Sequence, residues 1–280
     1  MQKYYFPMTL KSALLWTFSF IFTAGLAIYQ RKTGPTYPVS GDLVFESQQI
    51  RYKLIRSAEV GRDAEFGIVI ADTNIKGELL YRRFKSHDRW AIKPLERHGD
   101  TLVAFIPQQP AAGKVMYQVT LLKGDRRIPL NDEPLIIRYK GVVPGCLLWA
   151  HILTIFLAML FSVRTGLEVI FKGNSNYTYT WMTVIFLLLG GLIFGPLVQK
   201  NAFDGYWTGW PFGHDLTDNK ILIAFIFWMI ALIVQIKNRA NRIWPAIASF
   251  MLLVVFLIPH SVLGSEFNFN KEQQTQPMKK

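Results

Sequence analysis

Five long apolar stretches constrain this chain more than any other feature. Four lie in the C-terminal half, at about 143–163, 181–198, 220–236 and 243–262, and the fifth covers residues 10–29. About 20 apolar residues in a helix cross the roughly 30 Å core of a bilayer, so each stretch is close to the length of a membrane span. Only 18% of the 280 residues are charged and 51% are hydrophobic, which is typical of a membrane protein.

Basic residues in the short loops predict how these spans are oriented. Lys237, Arg239 and Arg242 lie between the last two apolar stretches, and the positive-inside rule places such a loop in the cytoplasm. Arg164 and Lys172 place the loop after the second span on the same side. We therefore expect a multi-pass protein of the cytoplasmic (inner) membrane with its N-terminus inside.

Because the chain changes sides of the membrane at each span, this orientation leaves three parts of the chain on the extracytoplasmic side. They are the long segment between the first two spans, the loop at 199–219 and the C-terminal tail. The predicted domains are a membrane anchor at 1–34, an extracytoplasmic domain at 35–141, a four-span domain at 142–264 and a polar tail at 265–280. Small residues near the end of the first span make a cleaved signal peptide the alternative to an uncleaved anchor.

The extracytoplasmic domain contains seven runs that are typical of short β-strands. They cover residues 43–45, 50–55, 65–71, 78–84, 101–106, 114–122 and 135–139. This number of short strands predicts a β-sandwich of the immunoglobulin or fibronectin type III kind. The sequence IPQQPAAGKVMYQVTLL at 106–122 resembles the turn and following strand of fibronectin type III-like modules, which implies that Tyr117 points into the core. We expect His87 and His98 to lie on the surface.

Composition and motifs narrow the class of function. The net charge of +12 is scattered between apolar blocks and forms no basic stripe, so we expect contact with membrane lipid rather than with nucleic acid. Cys146 is the single cysteine, which excludes an internal disulfide and a dithiol redox pair. No phosphate-binding glycine motif occurs, and no residue is predicted to be catalytic, so a binding protein is expected before an enzyme.

The predicted outer face collects the unusual polar and aromatic residues. His151 lies about nine residues into the second span, or roughly 13 Å, and His260 closes the fifth span. A titratable residue in an apolar span is costly, so His151 is a functional candidate, although a hydrogen bond to a neighbouring helix is the alternative. The outer loop QKNAFDGYWTGWPFGHDLTDNK interleaves aromatic residues with glycines, namely Tyr206, Trp207, Trp210 and Phe212. An interfacial aromatic belt is the alternative explanation for this loop.

Two imidazoles flanking a group of aromatic rings suit a planar iron porphyrin. His151 and His260 are candidate axial ligands of a non-covalent b-type haem, and the four aromatic residues can stack on the macrocycle. The alternative is a zinc or copper site. Its candidate ligands are the outer histidines and carboxylates His151, His214, His260, Asp215, Asp218 and Glu266.

Two other patterns have structural explanations. Asp215 or Thr217 is the expected N-cap of the fourth span, with Asp218 in its first turn. Gly190, Gly191 and Gly195 predict close helix packing, and Pro196 beside them predicts a kink in the third span.

The order of these features resembles that of the cytochrome c assembly protein family over about residues 142–264. The similar segments are VPGCLLWAHILTIFLAMLF with His151, AFDGYWTGWPFGHDLTDNKILIAFIFWMIAL, and IPHSVLG with His260. Within the loop, the matching positions are Gly205, Trp207, Trp210 and Asp215. The resemblance implies that haem is held outside the membrane by an aromatic loop between two external histidines. The spans contain no further histidine, so the resemblance does not extend to a second haem within the membrane.

We therefore expect a membrane protein that binds or handles haem at its extracytoplasmic face, in cytochrome maturation or in a respiratory complex. Its expected partner is a protein on that side, a cytochrome or a subunit of a membrane complex, for which the sandwich is the docking module. Asp215 would orient the aromatic loop or a propionate-binding group, and Lys200 and Lys220 could pair with propionates. A non-catalytic assembly subunit and a metal-binding protein facing the periplasm are the alternatives.

Overall fold

The structure, a computed structural model, describes residues 10–46, 48–259 and 264–270. These residues form two compact units. The helical unit contains the described residues within 1–34, 143–200 and 205–264. The β unit contains those within 35–142, 201–204 and 265–280. An N-terminal apolar helix, a region of β-sheets and a group of apolar helices follow one another along the chain, as predicted.

The described chain has one long helix near its N-terminus and a group of helices in its C-terminal half. In order, the helices are α1 Leu10–Thr33, α2 Gly145–Ile170, α3 Asn176–Leu187, a π-helix Leu188–Phe194, α4 Gly195–Phe203, α5 Leu216–Lys237 and α6 Ile243–Leu257. The π-helix joins α3 to α4 without a break, so Asn176–Phe203 is one helical segment of 28 residues. The third and fourth predicted spans are therefore longer than expected, and the loop between them is shorter.

Four helical segments are long and apolar enough to cross a membrane: α1, α2, Asn176–Phe203 and α5. They account for four of the five predicted spans. The fifth, α6, has 15 residues, which is about 22 Å of helix and shorter than the roughly 20 residues of a full span. It is confirmed only as a shorter apolar helix, and residues 260–263 of the predicted span lie outside the described part of the chain.

One end of the helical unit, which we call the basic end, brings together the start of α1 with the end of α2, and the start of α3 with the turn before α6. Lys11 Nζ donates to the carbonyl oxygen of Phe171 at 3.2 Å. Asn176 Nδ2 donates to the carbonyl oxygen of Asn241 at 3.3 Å. These contacts make α1 antiparallel to α2.

The opposite end, which we call the loop end, brings the end of α6 to the start of α5 and the end of α1. Lys220 Nζ donates to the carbonyl oxygen of Ile258 at 2.9 Å, and Gln30 Nε2 donates to that of Phe256. Because α2 runs antiparallel to α1, it starts at this end. The start of α2, the loop before α5 and the end of α6 thus share one end, which is the geometry that the predicted parity requires.

Arg164 is not a loop residue, which corrects its use in predicting the orientation. It lies within α2, is 2% exposed, and its Nη1 is 2.6 Å from Glu168 Oε2. Its charge is paired inside the helical unit and does not add to the charge of a loop. That part of the prediction was wrong because sequence position alone did not show burial.

The β unit consists mainly of short strands. They are β1 Val39–Phe45, β2 Gln48–Leu54, β3 Ser57–Glu59, β4 Ala64–Val69, β5 Lys76–Arg83, β6 Ala91–Pro94, β7 Glu96–His98, β8 Thr101–Ile106, β9 Lys114–Lys123, β10 Arg126–Pro129 and β11 Leu135–Lys140. All seven predicted runs overlap a strand. The strands that were not predicted, β3, β6, β7 and β10, have only three or four residues each.

Three sheets share one apolar core. β1 pairs with β2, the largest sheet has the order β3-β11-β9-β5-β6 with β10 added to β9, and the third has the order β4-β8-β7. Alternate residues of β9 are buried, as expected for a strand with one face on a core. Tyr117 is fully buried as predicted, and its hydroxyl donates to the carbonyl oxygen of Ile55 at 2.7 Å. His87 and His98 are exposed, as predicted.

Two segments distant in sequence complete the β unit. The guanidinium carbon of Arg138 lies 3.6 Å from the ring centroid of Phe203. Residues 265–270 pack on the same unit, where Phe269 is 2% exposed. The carboxylate of Glu266 in that segment is 2.7 Å from Lys85 Nζ and 2.8 Å from Lys114 Nζ.

Candidate functional site

The His151 imidazole lies at the loop end of α2, against the π-helix. Its Nδ1 is 2.9 Å from the carbonyl oxygen of Gly190. Because a carbonyl oxygen can only accept, Nδ1 carries the proton when it donates to Gly190. In the neutral ring, Nε2 is then the nitrogen with a free lone pair. Within the described part of the chain, Nε2 has no hydrogen-bond partner.

Glycines allow the close approach that this hydrogen bond needs. A Cβ on Gly190 would lie 2.8 Å from Thr154 Oγ1 and 2.9 Å from the backbone nitrogen of Ile155. A Cβ on Gly195 would lie 3.7 Å from His151 Cε1. The predicted close packing is confirmed, and where the sequence predicted a kink the helix widens into a π-helix. Such turns occur frequently at functional sites.

The loop after α4 is organised by the carboxylate of Asp218. We call residues 205–215 the aromatic loop. Asp218 Oδ2 accepts hydrogen bonds from the backbone nitrogens of Thr208 at 2.7 Å and Gly209 at 2.9 Å. It also accepts from Gln199 Nε2 at 3.1 Å, and the Asp218 side chain is almost completely buried. This carboxylate therefore holds the backbone of the aromatic loop against α4 and α5.

Asp215 is the N-cap of α5, as predicted. Its Oδ1 accepts from the backbone nitrogen of Thr217 at 2.8 Å, and its Oδ2 accepts from Thr208 Oγ1 at 3.1 Å. Both oxygens are thus engaged within the loop and the first turn of the helix. These contacts are those of a group that orients the aromatic loop.

The aromatic side chains of the loop differ in exposure. Tyr206, Trp210 and Phe212 are 57%, 68% and 82% exposed, whereas Trp207 is half-buried and its Nε1 donates to the carbonyl oxygen of Trp210 at 3.0 Å. The backbone nitrogen of Trp210 donates to Asn219 Oδ1 at 2.6 Å. Three large apolar rings are thus presented outward from a backbone that is fixed by hydrogen bonds.

The α4 helix connects His151 to the aromatic loop. A Cβ on Gly195 would lie 3.7 Å from the imidazole, and Gln199 follows Gly195 by four residues, or about 6 Å along the helix. Gln199 Nε2 donates to Thr208 Oγ1 at 2.6 Å as well as to Asp218. Gly195, which lies on the side of α4 near His151, and Gln199, which anchors the loop, are therefore about one helical turn apart.

Three other candidate residues, His214, Lys200 and Lys220, differ from one another in burial and contacts. His214 is exposed in the aromatic loop. Lys200 lies 5.6 Å from the ring centroid of Tyr206, and Lys220 is buried with its Nζ on the carbonyl oxygen of Ile258. His260 lies outside the described residues, two positions beyond Ile258. Within the described ranges, no group of three His, Cys, Asp or Glu side chains forms a candidate metal centre.

Sequence reasoning did not identify the residues that hold the loop. Gln199, Thr208 and Asn219 have no chemistry that marks them, and Asp218 was expected in the first turn of the helix or as a metal ligand rather than as the anchor of the loop. Their common signal is weak: polar side chains follow the end of one apolar span and precede the next. Their partners are mostly backbone groups nine or ten residues away, which sequence alone does not reveal.

No protein-family model, curated protein or solved structure matches this chain. The similarity to the cytochrome c assembly family thus remains an expectation based on the motif residues.

Proposed function

We propose that this protein is a multi-pass membrane protein that binds haem at its loop end and exchanges it with a protein partner on the extracytoplasmic side. The observation that carries the proposal is the hydrogen bond from His151 Nδ1 to the carbonyl oxygen of Gly190. Metal-binding histidines usually donate their second ring N–H to a carbonyl or carboxylate, which fixes the ring and directs the other nitrogen to the metal. His151 has that arrangement at the loop end, which also carries the exposed rings of the aromatic loop.

Each residue of the site then has a defined task. His151 would supply a nitrogen ligand to the haem iron, and His260 is the predicted second ligand. Tyr206, Trp210 and Phe212 offer flat apolar surfaces for stacking on the macrocycle. Asp215 and Asp218 keep the loop backbone in place. Lys200 and Lys220 lie at the same end and carry charges suited to propionates. Bound haem supplies an iron centre that is either retained or passed on.

We further propose a finer description of the two units. The β unit is an extracytoplasmic sandwich of the immunoglobulin or fibronectin type III kind that docks the partner. The shared core of its three sheets and the alternating burial in β9 support this assignment. The helices after it form a four-helix transmembrane bundle in the cytoplasmic membrane, behind an N-terminal transmembrane helix. The cations of residues 237–242 support a cytoplasmic basic end.

An absorption spectrum of the purified full chain, produced with ample haem, tests the function. We expect a Soret band in the wild type, and we expect His151→Ala to lower haem occupancy or change the coordination spectrum. His214→Ala is the matched control, because this exposed histidine lies at the same end and should leave the spectrum unchanged. A wild type without a Soret band would refute the proposal. Equal damage from both variants, with bound zinc or copper in elemental analysis, would favour the metal site.

The exposure of Trp210 and Phe212 favours a second candidate function, that of a non-catalytic assembly subunit. Large apolar side chains exposed on a fixed loop are typical of sites where another protein binds. In that case Trp210→Ala and Phe212→Ala should reduce co-purification of a membrane partner from native membranes while the protein contains neither haem nor metal. Unchanged co-purification of the partner would argue against this role.

A further inference from the structure

The basic end carries cationic side chains that form no ion pair with a surface carboxylate among the described residues. Its exposed or half-buried cationic residues are Lys11, Lys172, Lys237, Arg239 and Arg242. Among the described residues of this end, the single acidic residue is Glu168. The balance of charge at the surface therefore depends on where Glu168 directs its carboxylate.

Glu168 is neutralised inside the helical unit. Its Oε2 is 2.6 Å from Arg164 Nη1, its Oε1 accepts from the backbone nitrogen of Ser175 at 3.1 Å, and it is 5% exposed. A Cβ on Gly173 would lie 2.2 Å from the carboxyl carbon, so the turn after α2 closes directly over this group. Because Arg164 already balances the only carboxylate, the five outer cations have no negative partner among the described residues.

The contacts of these cations position them without neutralising them. Lys11 and Arg242 donate to backbone carbonyl oxygens, with Arg242 Nη2 2.9 Å from that of Gly173. Arg239 lies over the ring of Tyr177, 4.7 Å from its centroid. Lys172 and Lys237 are exposed. The result is a set of positive charges on the helix termini and short turns of this end.

The cations also lie at the depth of lipid headgroups if the helices cross a bilayer. The helices α1, α2 and α5 contain 24, 26 and 22 residues, or about 33 to 39 Å, compared with a hydrocarbon core of about 30 Å. We propose that the basic end is a binding surface for the phosphate groups of anionic phospholipids. The proposal rests on membrane insertion of the helices and is independent of haem binding.

The test compares two double variants of the full chain in a neutral detergent. K172Q/K237Q removes two exposed cations from the basic end, and R31Q/K32Q removes two from the last turn of α1 at the loop end. Phosphatidylglycerol is titrated against each protein, with phosphatidylcholine as the uncharged comparison. Bound lipid is counted by native mass spectrometry, and the thermal midpoint is recorded. Glycerol phosphate and a single-stranded RNA are tested as other sources of phosphate.

We expect phosphatidylglycerol to bind the wild type and raise its thermal midpoint, and phosphatidylcholine to do neither. Surface cations near anionic lipid contribute about 1 kcal/mol each, so K172Q/K237Q should weaken phosphatidylglycerol binding about 30-fold. R31Q/K32Q should stay within about threefold of the wild type. Equal response to both lipids, equal loss in both double variants, or equally tight binding of glycerol phosphate or RNA would overturn the proposal.

Discussion

At the scale of single residues, the helical unit contains a buried ion pair between Arg164 and Glu168. Both side chains are almost completely buried, and a charge in such surroundings is tolerated mainly because its partner is present. Removal of one charge is therefore expected to change the free energy of unfolding strongly, because the other charge is left buried and unpaired.

Glu168→Gln should lower the free energy of unfolding by about 3 kcal/mol, because it leaves the Arg164 charge buried and unpaired. The double variant R164M/E168Q should be more stable than E168Q alone, since it removes the stranded charge as well. Denaturant titration in detergent micelles measures both values. A double variant that is less stable than E168Q would show that the stranded charge is not the cause.

At the scale of elements, glycine has opposite effects on stability in α1 and in the π-helix. A Cβ on Gly25 of α1 would meet no atom within 4 Å, whereas a Cβ on Gly190 would meet the backbone of α2 at 2.9 Å. Gly25 therefore lowers the stability of α1, and no close contact requires glycine at this position. The position of Gly190 requires glycine to keep α2 in contact with the π-helix.

The pair Gly190→Ala and Gly25→Ala tests this difference between elements. Gly25→Ala should raise the free energy of unfolding by about 0.5 kcal/mol, whereas Gly190→Ala should lower it by about 2 kcal/mol through overpacking. Thermal unfolding of the two variants in the same detergent measures the contrast. If both variants shifted in the same direction, the close contact between α2 and the π-helix would be in doubt.

The segment 265–270 should be attached to the β unit in a pH-dependent way. Partial burial acts to raise the pKa of Glu266, but hydrogen bonds from Lys114 and Lys85 outweigh it, so the pKa lies below its ordinary value. The stabilisation is therefore present above the unfolded pKa of about 4.3 and is lost as the pH falls through the lower folded value. Protease cleavage after Phe267 or Phe269 should increase below about pH 4.3. Glu266→Gln should make cleavage faster at neutral pH and remove most of this pH dependence.

Sequence patterns predicted the elements better than they predicted the contacts between them. Apolar length predicted five spans, of which four are long helices and the fifth, α6, is shorter, and alternating residues such as those of β9 predicted the main strands. The short strands β3, β6, β7 and β10 were missed because three or four residues are too few for a periodic signal. The aspartate that holds the aromatic loop was missed because its partners are backbone nitrogens, and Arg164 was misplaced because burial depends on neighbouring helices.

At the scale of the whole molecule, the order of helix ends predicts which chain segments share a side of the membrane. Residue 240 lies at the basic end, between α5 and α6. Residue 124 belongs to the segment between α1 and α2. The end of α1 and the start of α2 are both at the loop end. The two positions are therefore expected on opposite sides of the bilayer.

Reporter fusions at residues 124, 240 and 280 check this topology. We expect residue 240 to be cytoplasmic, and residues 124 and 280 to be extracytoplasmic. The fusion at residue 280 is the most informative about α6, because a helix of 15 residues must still bring the chain back to the loop end. Residues 124 and 240 on the same side would contradict the arrangement of helix ends described above.

The packing of residues 265–270 on the β unit has a consequence for the order of folding. A chain is synthesised from its N-terminus, and domains usually fold as they emerge. Residues 35–142 are synthesised long before Glu266, so Lys85 and Lys114 lack their carboxylate partner until α6 has been made. The last step in building the β unit thus comes after the helices are synthesised, and a chain truncated before residue 265 would retain every strand while lacking that final closure.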